Sequence, residues 1–358
     1  MVYTKVFFLV EYFYYPNIKQ VHESSACQVR VKPLSSELEN RGWECKIIEK
    51  PSAKSFNPIQ RYVLPFSFFE VLHEATRVRQ YNVLFVSRAP YFGPYILQKL
   101  WETYGGKVVF DFDDALFLER IARIGLFQKI IAKSSVITVS SHYLLSYAKN
   151  YNPNVFIVHT PIDTELFTPS LRKDHDKITI GWMGNTTGHL KNLEILRPIL
   201  IKLGHKYDLR FKIVSAAGDL RVRNLFKEVE KYVDLDYGLN HFVPFRELPE
   251  LVSDFDIGVS PLINEPWFEA KSAIKSAMYM ATGLPTVASK IGEQKYVIDQ
   301  GVNGFLAETE SEWFEYLSAL IEDGRLRKKM GMEARKKAEQ ELSVKACGNR
   351  LFRILESL

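Results

Sequence analysis

Lys271, Lys275 and Met278 follow one another at spacings of four and three. On a helix that spacing puts all three on one side. Two ammonium groups near a helix start can hold a diphosphate, with the open amides of the first turn assisting. The same spacing also describes a solvated lysine face. A second passage runs Ile178-Thr-Ile-Gly-Trp-Met-Gly-Asn-Thr-Thr-Gly-His-Leu-Lys-Asn192. Gly181, Gly184 and Gly188 there would let a phosphate or a base approach the backbone, and Lys191 stands in the first turn of the following helix. The passage is neither GxGxxG nor a Walker loop, so it reads equally as a plain β-turn-α connection. The third passage, Val108–Phe117, ends a strand with Asp111, Asp113 and Asp114. Clustered carboxylates share protons or bind a cation; alternatively Asp113 or Asp114 caps the next helix. Arg88 closes the preceding strand and is placed to pair with these aspartates, as a structural ion pair or as a ligand contact.

Other chemistries find little support. His22, His73, His142, His159, His175, His189, His205 and His241 form no HExxH or His/Cys array, so zinc chemistry is not indicated. His189 is notable in sharing the glycine-rich loop with Lys191. No nucleophile elbow occurs. No histidine or further carboxylate stands near the three aspartates, which makes a metal their least favoured use. Cys27, Cys45 and Cys347 are odd in number and lie far apart, so neither a disulfide framework nor a metal knuckle is indicated, and a reducing compartment fits. The net charge of +5 favours anionic partners such as phosphates or an acidic membrane surface. Its scatter among acids argues against nucleic acid.

The elements that must position these residues alternate along the chain. Strand candidates in the first half are Lys5–Val10, Glu44–Glu49, Val83–Ser87, Lys107–Phe112, Val136–Ser140 and Val155–His159. Helical patterns between them cover Ser35–Arg41, Tyr95–Tyr104, Phe117–Lys133 and His142–Lys149, and residues 51–65, with three prolines, read as a loop. After a turn-rich passage ending at Pro169 the alternation restarts, with strands at Lys177–Met183, Phe211–Ser215, Ile257–Pro261, Thr286–Ser289 and Gly304–Ala307. Helices there fit Leu190–Leu203, Leu220–Tyr232, Leu248–Phe255, Ser272–Thr282, Ser311–Glu322 and Leu326–Leu342. Such βαβ alternation implies parallel sheets, and 358 residues suit two domains. Ligands of open α/β sheets bind at the carboxyl ends of the strands, where all three passages fall. The apolar run Val6–Val10 is too short to cross a bilayer and is followed by Glu11, so it reads as a buried first strand. No later run approaches spanning length, and a cytoplasmic chain is expected.

The combination resembles the GT-B glycosyltransferases of family 4, the glycosyl transferases group 1. The resembling segments are Val108–Phe117, Val136–Pro169, Ile178–Leu196 and Asp256–Glu308; the run Lys275–Ser289 with Gly292 and Gly301-Val-Asn-Gly-Phe-Leu306 is the most specific. The resemblance implies an α/β chain of two Rossmann-like domains facing a cleft. Residues 1–165 would form the acceptor domain and 166–340 the nucleotide-sugar donor domain, with 341–358 a last helix packing back on the first. It implies retaining, metal-independent transfer and no cofactor beyond the donor substrate. Lys191 matches the family's phosphate-binding lysine, whereas its partner arginine falls at Asn185. The family's two glutamates fall at Ala270 and Met278, with Glu265 and Glu269 close to the first. Lys271 and Lys275 match a subgroup carrying lysines here.

On this reading Lys191, Lys271, Lys275 and helix amides stabilise the leaving diphosphate, and Asp113 or Asp114 orients or deprotonates an acceptor hydroxyl. The acceptor would be a glycan or a lipid-linked sugar of polysaccharide biosynthesis. Two rivals share the architecture: a nucleotide-sugar epimerase, and a non-catalytic nucleotide-sugar-binding partner of an active transferase. Leu116–Lys133 is both apolar and basic, with Arg120, Arg123, Lys129 and Lys133. As one helix it would either rest on anionic lipid at the inner face of a membrane or bury its apolar side in the core.

Overall fold

The computed structural model describes residues 4–12, 27–51, 73, 76, 80–88, 92–118, 124–169, 176–214, 220–238, 243 and 245–358. The chain divides into two compact units. One comprises Met1–Pro161 with Ala270–Ser272 and Val344–Leu358; the other comprises Ile162–Glu269 and Ala273–Ser343. Most of the proline-rich passage 51–65 and both Arg120 and Arg123 lie outside the described residues.

The first unit is built on a parallel sheet of β1 (Lys5–Tyr12), β2 (Glu44–Pro51), β3 (Val83–Ser87), β4 (Lys107–Phe112), β5 (Val136–Val139) and β6 (Val155–Ile157), in the order β2-β1-β3-β4-β5-β6. Its central strands are apolar runs buried on both faces, as parallel strands covered by helices must be. The helix Val344–Glu356 closes this core through Cys347, Leu351 and Ile354, which join Val6, Leu34 and Val83. It approaches the helix Lys32–Glu39 so closely that a Cβ on Gly348 would overlap Glu37.

The second unit holds β7 (Ile178–Met183), β8 (Leu209–Val214), β9 (Asp234–Asp236), β10 (Ile257–Ser260), β11 (Thr286–Ser289) and β12 (Gly304–Ala307), ordered β12-β11-β10-β7-β8-β9. This is the doubly wound Rossmann order, and its topological switch point lies between β7 and β10. Gly258 of β10 leaves room for the Tyr279 ring, which a Cβ would overlap. Tyr279 in turn accepts a hydrogen bond from the Met183 amide at 3.0 Å, tying the end of β7 to the helix that follows β10. Strand β9 was not expected; three residues carrying two aspartates show no apolar alternation.

Several expected elements break. The stretch Leu190–Leu203 is two helices, Leu190–Glu194 and Leu196–Gly204, because Pro198 has no N–H to give the Glu194 carbonyl and its ring crowds that position. Phe117–Lys133 contains a short 3₁₀ turn, Leu116–Leu118, and a helix, Ile124–Lys133. That helix buries Phe127, Ile130 and Ile131 in its own unit, while Ile124 at its start and Leu118 of the preceding turn are exposed. Among the described residues no helix is long and apolar enough to cross a membrane. The first unit runs to Pro161, and Ile162 begins the second. Arg335 donates to the carbonyls of Thr164, Phe167 and Ala281, holding the connecting passage to the second unit.

Candidate functional site

In the first unit β3 and β4 are paired with Ser87 opposite Asp111, so Arg88 and Asp113–Asp114 emerge side by side at the carboxyl ends. Asp111 does not join them as a reactive group. It is fully buried and accepts from Arg30 Nε (3.0 Å) and Nη2 (2.6 Å), from Ser87 Oγ (3.0 Å) and from Thr138 Oγ1 (2.7 Å). Four donors saturate the carboxylate, which makes it part of the frame. Arg30 is equally buried and also donates to the Val158 carbonyl at 2.8 Å. Burial disfavours its charge, but Asp111 more than compensates and raises its pKa.

Arg88 is held with φ at 58°, in the left-handed region that non-glycine residues rarely occupy. Its amide donates to the Asp111 carbonyl at 2.9 Å, and its fork spans both neighbours: Nη1 to Asp113 Oδ1 at 2.9 Å, Nη2 to Asp114 Oδ2 at 3.0 Å. Lys271, in the segment Ala270–Ser272 that groups with this unit, donates to Asp114 Oδ1 at 2.6 Å. The two carboxyls therefore titrate apart. For Asp113 burial outweighs Arg88 and, with repulsion from Asp114, pushes the pKa up. For Asp114 burial is overcome by Lys271 and Arg88 together, which hold it well below the usual carboxylate range. Adjacent acids driven in opposite directions divide into a group that can take a proton and one that stays ionised.

In the second unit the loop after β7 meets the helix Ile274–Ala281. Lys271 precedes that helix, so it does not share a helical side with Lys275; Ala273 occupies the N-cap position. Gly184 has φ at 151°, and a Cβ there would lie 2.6 Å from Lys275 Cε. Glycine is thus needed both for the turn and for the lysine stem. Lys275 Nζ is 3.1 Å from His189 Nε2 and 5.9 Å from the centre of the buried Trp182 ring. His189 also packs edge-on to Trp182 and against Phe268. On its other side His189 Nδ1 is 2.8 Å from Asn192 Nδ2. Asn192 is fully buried, and its Oδ1 accepts from the Ile263 amide at 2.8 Å.

The remaining predicted residues are dispersed. Lys191 is 74% exposed and lies 3.7 Å from Glu265 Oε1, while Asn185 is exposed. Glu269 accepts from the Gly292 amide at 3.0 Å and from Lys295 at 3.3 Å, which latches the loop after β11. Gly292, at φ 57°, has carbonyls of Phe268 and Glu269 where a side chain would go. Met278 is 5% exposed in the core with Val214, Val252 and Phe255. A cavity of about 490 Å³ opens beside Leu262, Ile263, Ser289, Lys290, Glu308 and Trp313, and no predicted residue lines it. Among the described residues no group of three or more His, Cys, Asp or Glu side chains could hold a metal.

Sequence reasoning missed Arg30, Thr138 and Trp182, and gave His189 and Asn192 no role. Asn192 carried one readable signal: a short amide side chain two residues into a helix that follows a glycine loop.

The family described as Glycosyl transferases group 1 matches residues 177–323. The chain is 24% identical over 226 residues to a GDP-Man:Man(3)GlcNAc(2)-PP-Dol alpha-1,2-mannosyltransferase of Dictyostelium discoideum; the match covers 55% of this chain but 41% of that relative. Among solved structures it is similar to a glycosyltransferase from Rickettsia africae (14% identity, TM-score 0.72, 100% and 99% of the two chains). It is similar as well to a sucrose-phosphate synthase from Thermosynechococcus elongatus (13%, 0.71, 99% and 98%). A third is Anabaena HepE in complex with UDP (14%, 0.68, 99% and 100%). The switch-point loop and the helix Ile274–Ala281 lie inside the matched residues, and the whole chain has the GT-B fold of those structures, with residues 177–323 similar to the glycosyl transferases group 1.

Proposed function

We propose that this chain is a hexosyltransferase that moves a sugar from a nucleoside-diphosphate donor to a hydroxyl of a glycan or lipid-linked acceptor, with retention of configuration and without a metal. The observation that carries the reading is the set of nitrogen donors gathered at the β7–β10 switch point, where Lys275 and His189 meet against Gly184 within the family-matched residues. An open α/β sheet presents ligands there. Support for the donor class also comes from the printed names of relatives, which include a UDP complex and a GDP-mannose enzyme with a dolichol-diphosphate acceptor.

The bond from the anomeric carbon to the β-phosphate oxygen breaks as the acceptor oxygen bonds to that carbon. Charge grows on the leaving diphosphate, and Lys275 with Lys191 stabilises it; one preorganised donor of this kind is typically worth ~3 kcal/mol of barrier. Asp113, its carboxylate made more basic by burial, orients the acceptor hydroxyl or takes its proton. Asp114 stays ionised and holds Arg88 and Lys271 in place.

Thermal shift against UDP, GDP, ADP and their sugars tests donor binding. A ligand at a hundred times its Kd stabilises by roughly 2.7 kcal/mol. Turnover of the stabilising donor with glycan acceptors in EDTA then tests transfer. A chain stabilised by none of these nucleotides refutes the reading. A binding-only role has one observation in its favour, the buried methionine at position 278; tight donor binding with no transfer to any acceptor would establish it.

A further inference from the structure

The helix Gly324–Lys337 carries seven basic residues and one acidic residue, a net +6. The whole chain carries +5, so the positive excess resides in this one helix and the remainder is slightly acidic. Three of the seven are held inside the second unit. Arg327 donates to the carbonyls of Leu320 and Ile321, Arg335 to those of Thr164, Phe167 and Ala281, and Lys337 to Asp299. The other four, Arg325, Lys328, Lys329 and Lys336, are exposed. Among the described residues only Lys336 of these four forms an ion pair, with Glu333 at 3.9 Å. Asp323, the acid next to Arg325 in the chain, is engaged as the N-cap and accepts from the Arg325 and Leu326 amides.

At 3.6 residues per turn these four, with Met332, fall within about 100° of the helix circumference. Met332 is 62% exposed, and no acidic residue shares the arc. The opposite side fixes which way this face turns: Met330, Gly331 and Ala334 are buried, and a Cβ on Gly331 would meet the Gly283 carbonyl. From Arg325 to Lys336 the row spans about 16 Å at 1.5 Å per residue. Cations spread that far along a convex surface cannot converge on one phosphate, but they match a plane of anionic headgroups. Four or more basic residues on one helix face suit acidic lipid, and an apolar side chain among them can insert at the headgroup boundary. We infer that the face of Arg325, Lys328, Lys329, Met332 and Lys336 docks the second unit on an anionic membrane surface. This surface is distinct from Leu116–Lys133, and the inference does not depend on the donor reading above.

Co-sedimentation of the full chain with vesicles tests this, using phosphatidylcholine alone and an equimolar mixture with phosphatidylglycerol. The parent should pellet with the mixed vesicles only. Each basic residue near such a surface contributes about a factor of five, the ratio that ~1 kcal/mol represents. Lys328→Gln combined with Lys329→Gln should therefore weaken binding about 25-fold, with an unchanged melting temperature. Lys129→Gln with Lys133→Gln removes the same charge from exposed positions of the first unit and should change binding little. Met332→Ser should weaken binding severalfold, and its effect should persist in high salt, where that of the lysines is screened. A parent left in the supernatant with mixed vesicles overturns the inference, as does a Lys328 and Lys329 variant that pellets like the parent. Loss of binding in the Lys129 and Lys133 variant instead would assign the contact to the first unit and overturn it too. A face that merely attracts polyanions would bind polyuridylic acid as tightly as mixed vesicles and ignore Met332→Ser; that outcome replaces the membrane with nucleic acid.

Discussion

The carboxyl ends of β4 and β7 are equivalent places in two parallel sheets, yet they carry opposite electrostatics. At the end of β4 every charge has an opposite: Arg30 with Asp111, Arg88 with Asp113 and Asp114, Lys271 with Asp114. At the end of β7 nitrogen donors collect around Gly184, and Glu265 and Glu269 of the loop after β10 are bound to Lys191, Lys295 and the Gly292 amide. The first arrangement is complete without a ligand and sets the basicity of one acid. The second gathers nitrogen donors at the switch point, a composition that suits an anion. Strand topology supplies the location, and side-chain charge decides what the location does.

Removing the structural pair should have the largest effect. Arg30→Ala strands a buried carboxylate, and such losses cost about 3–5 kcal/mol, so the urea midpoint should fall steeply. Asp113→Asn should leave stability nearly intact, since burial already disfavours its charge, while transfer falls about a hundredfold or more, the usual worth of a positioned base. In the parent the acid limb of turnover should lie above the ordinary carboxylate range, because the pKa of Asp113 is raised. A smaller effect is expected at the other strand end. Gly184→Ala meets Lys275 Cε and an unfavourable φ, and should weaken diphosphate binding about tenfold by displacing the lysine. Equal affinity would mean the lysine is not needed at that position.

The smallest effect concerns acid stability. The folded pKa of Asp114 is depressed, so the native state holds fewer protons than the unfolded chain below the ordinary aspartate value of about 3.9. Its stabilisation is present above that value and is lost as pH falls toward the folded pKa. Asp114→Asn should flatten this part of the stability profile. Asp113 has the opposite sign: its raised pKa favours the folded state at low pH and costs stability as pH rises through it. Parent and Asp114→Asn profiles that superimpose below pH 4 would refute the assignment of Lys271 and Arg88 to Asp114.

The alternation of short apolar runs with helical patterns determined both sheets apart from β9, because burial repeats locally: a parallel strand such as Val83–Ser87 is buried throughout, and a helix start such as Thr309 with Glu312 carries its own capping box. It also placed Arg88 beside Asp113 and Asp114, since adjacent parallel strands end together. Tertiary structure alone decided which charges meet. Arg30 reaches Asp111 across 81 residues, Lys271 reaches Asp114 across 157, and Ile263 orients Asn192 across 71. The helical spacing that grouped Lys271 with Lys275 failed because the helix begins at Ile274, and the spacing that put Met278 beside them could not tell a core face from a ligand face. Periodicity records how much of a side chain is buried. The partner of a buried charge is chosen by the packing of distant elements, which leaves no period in the chain.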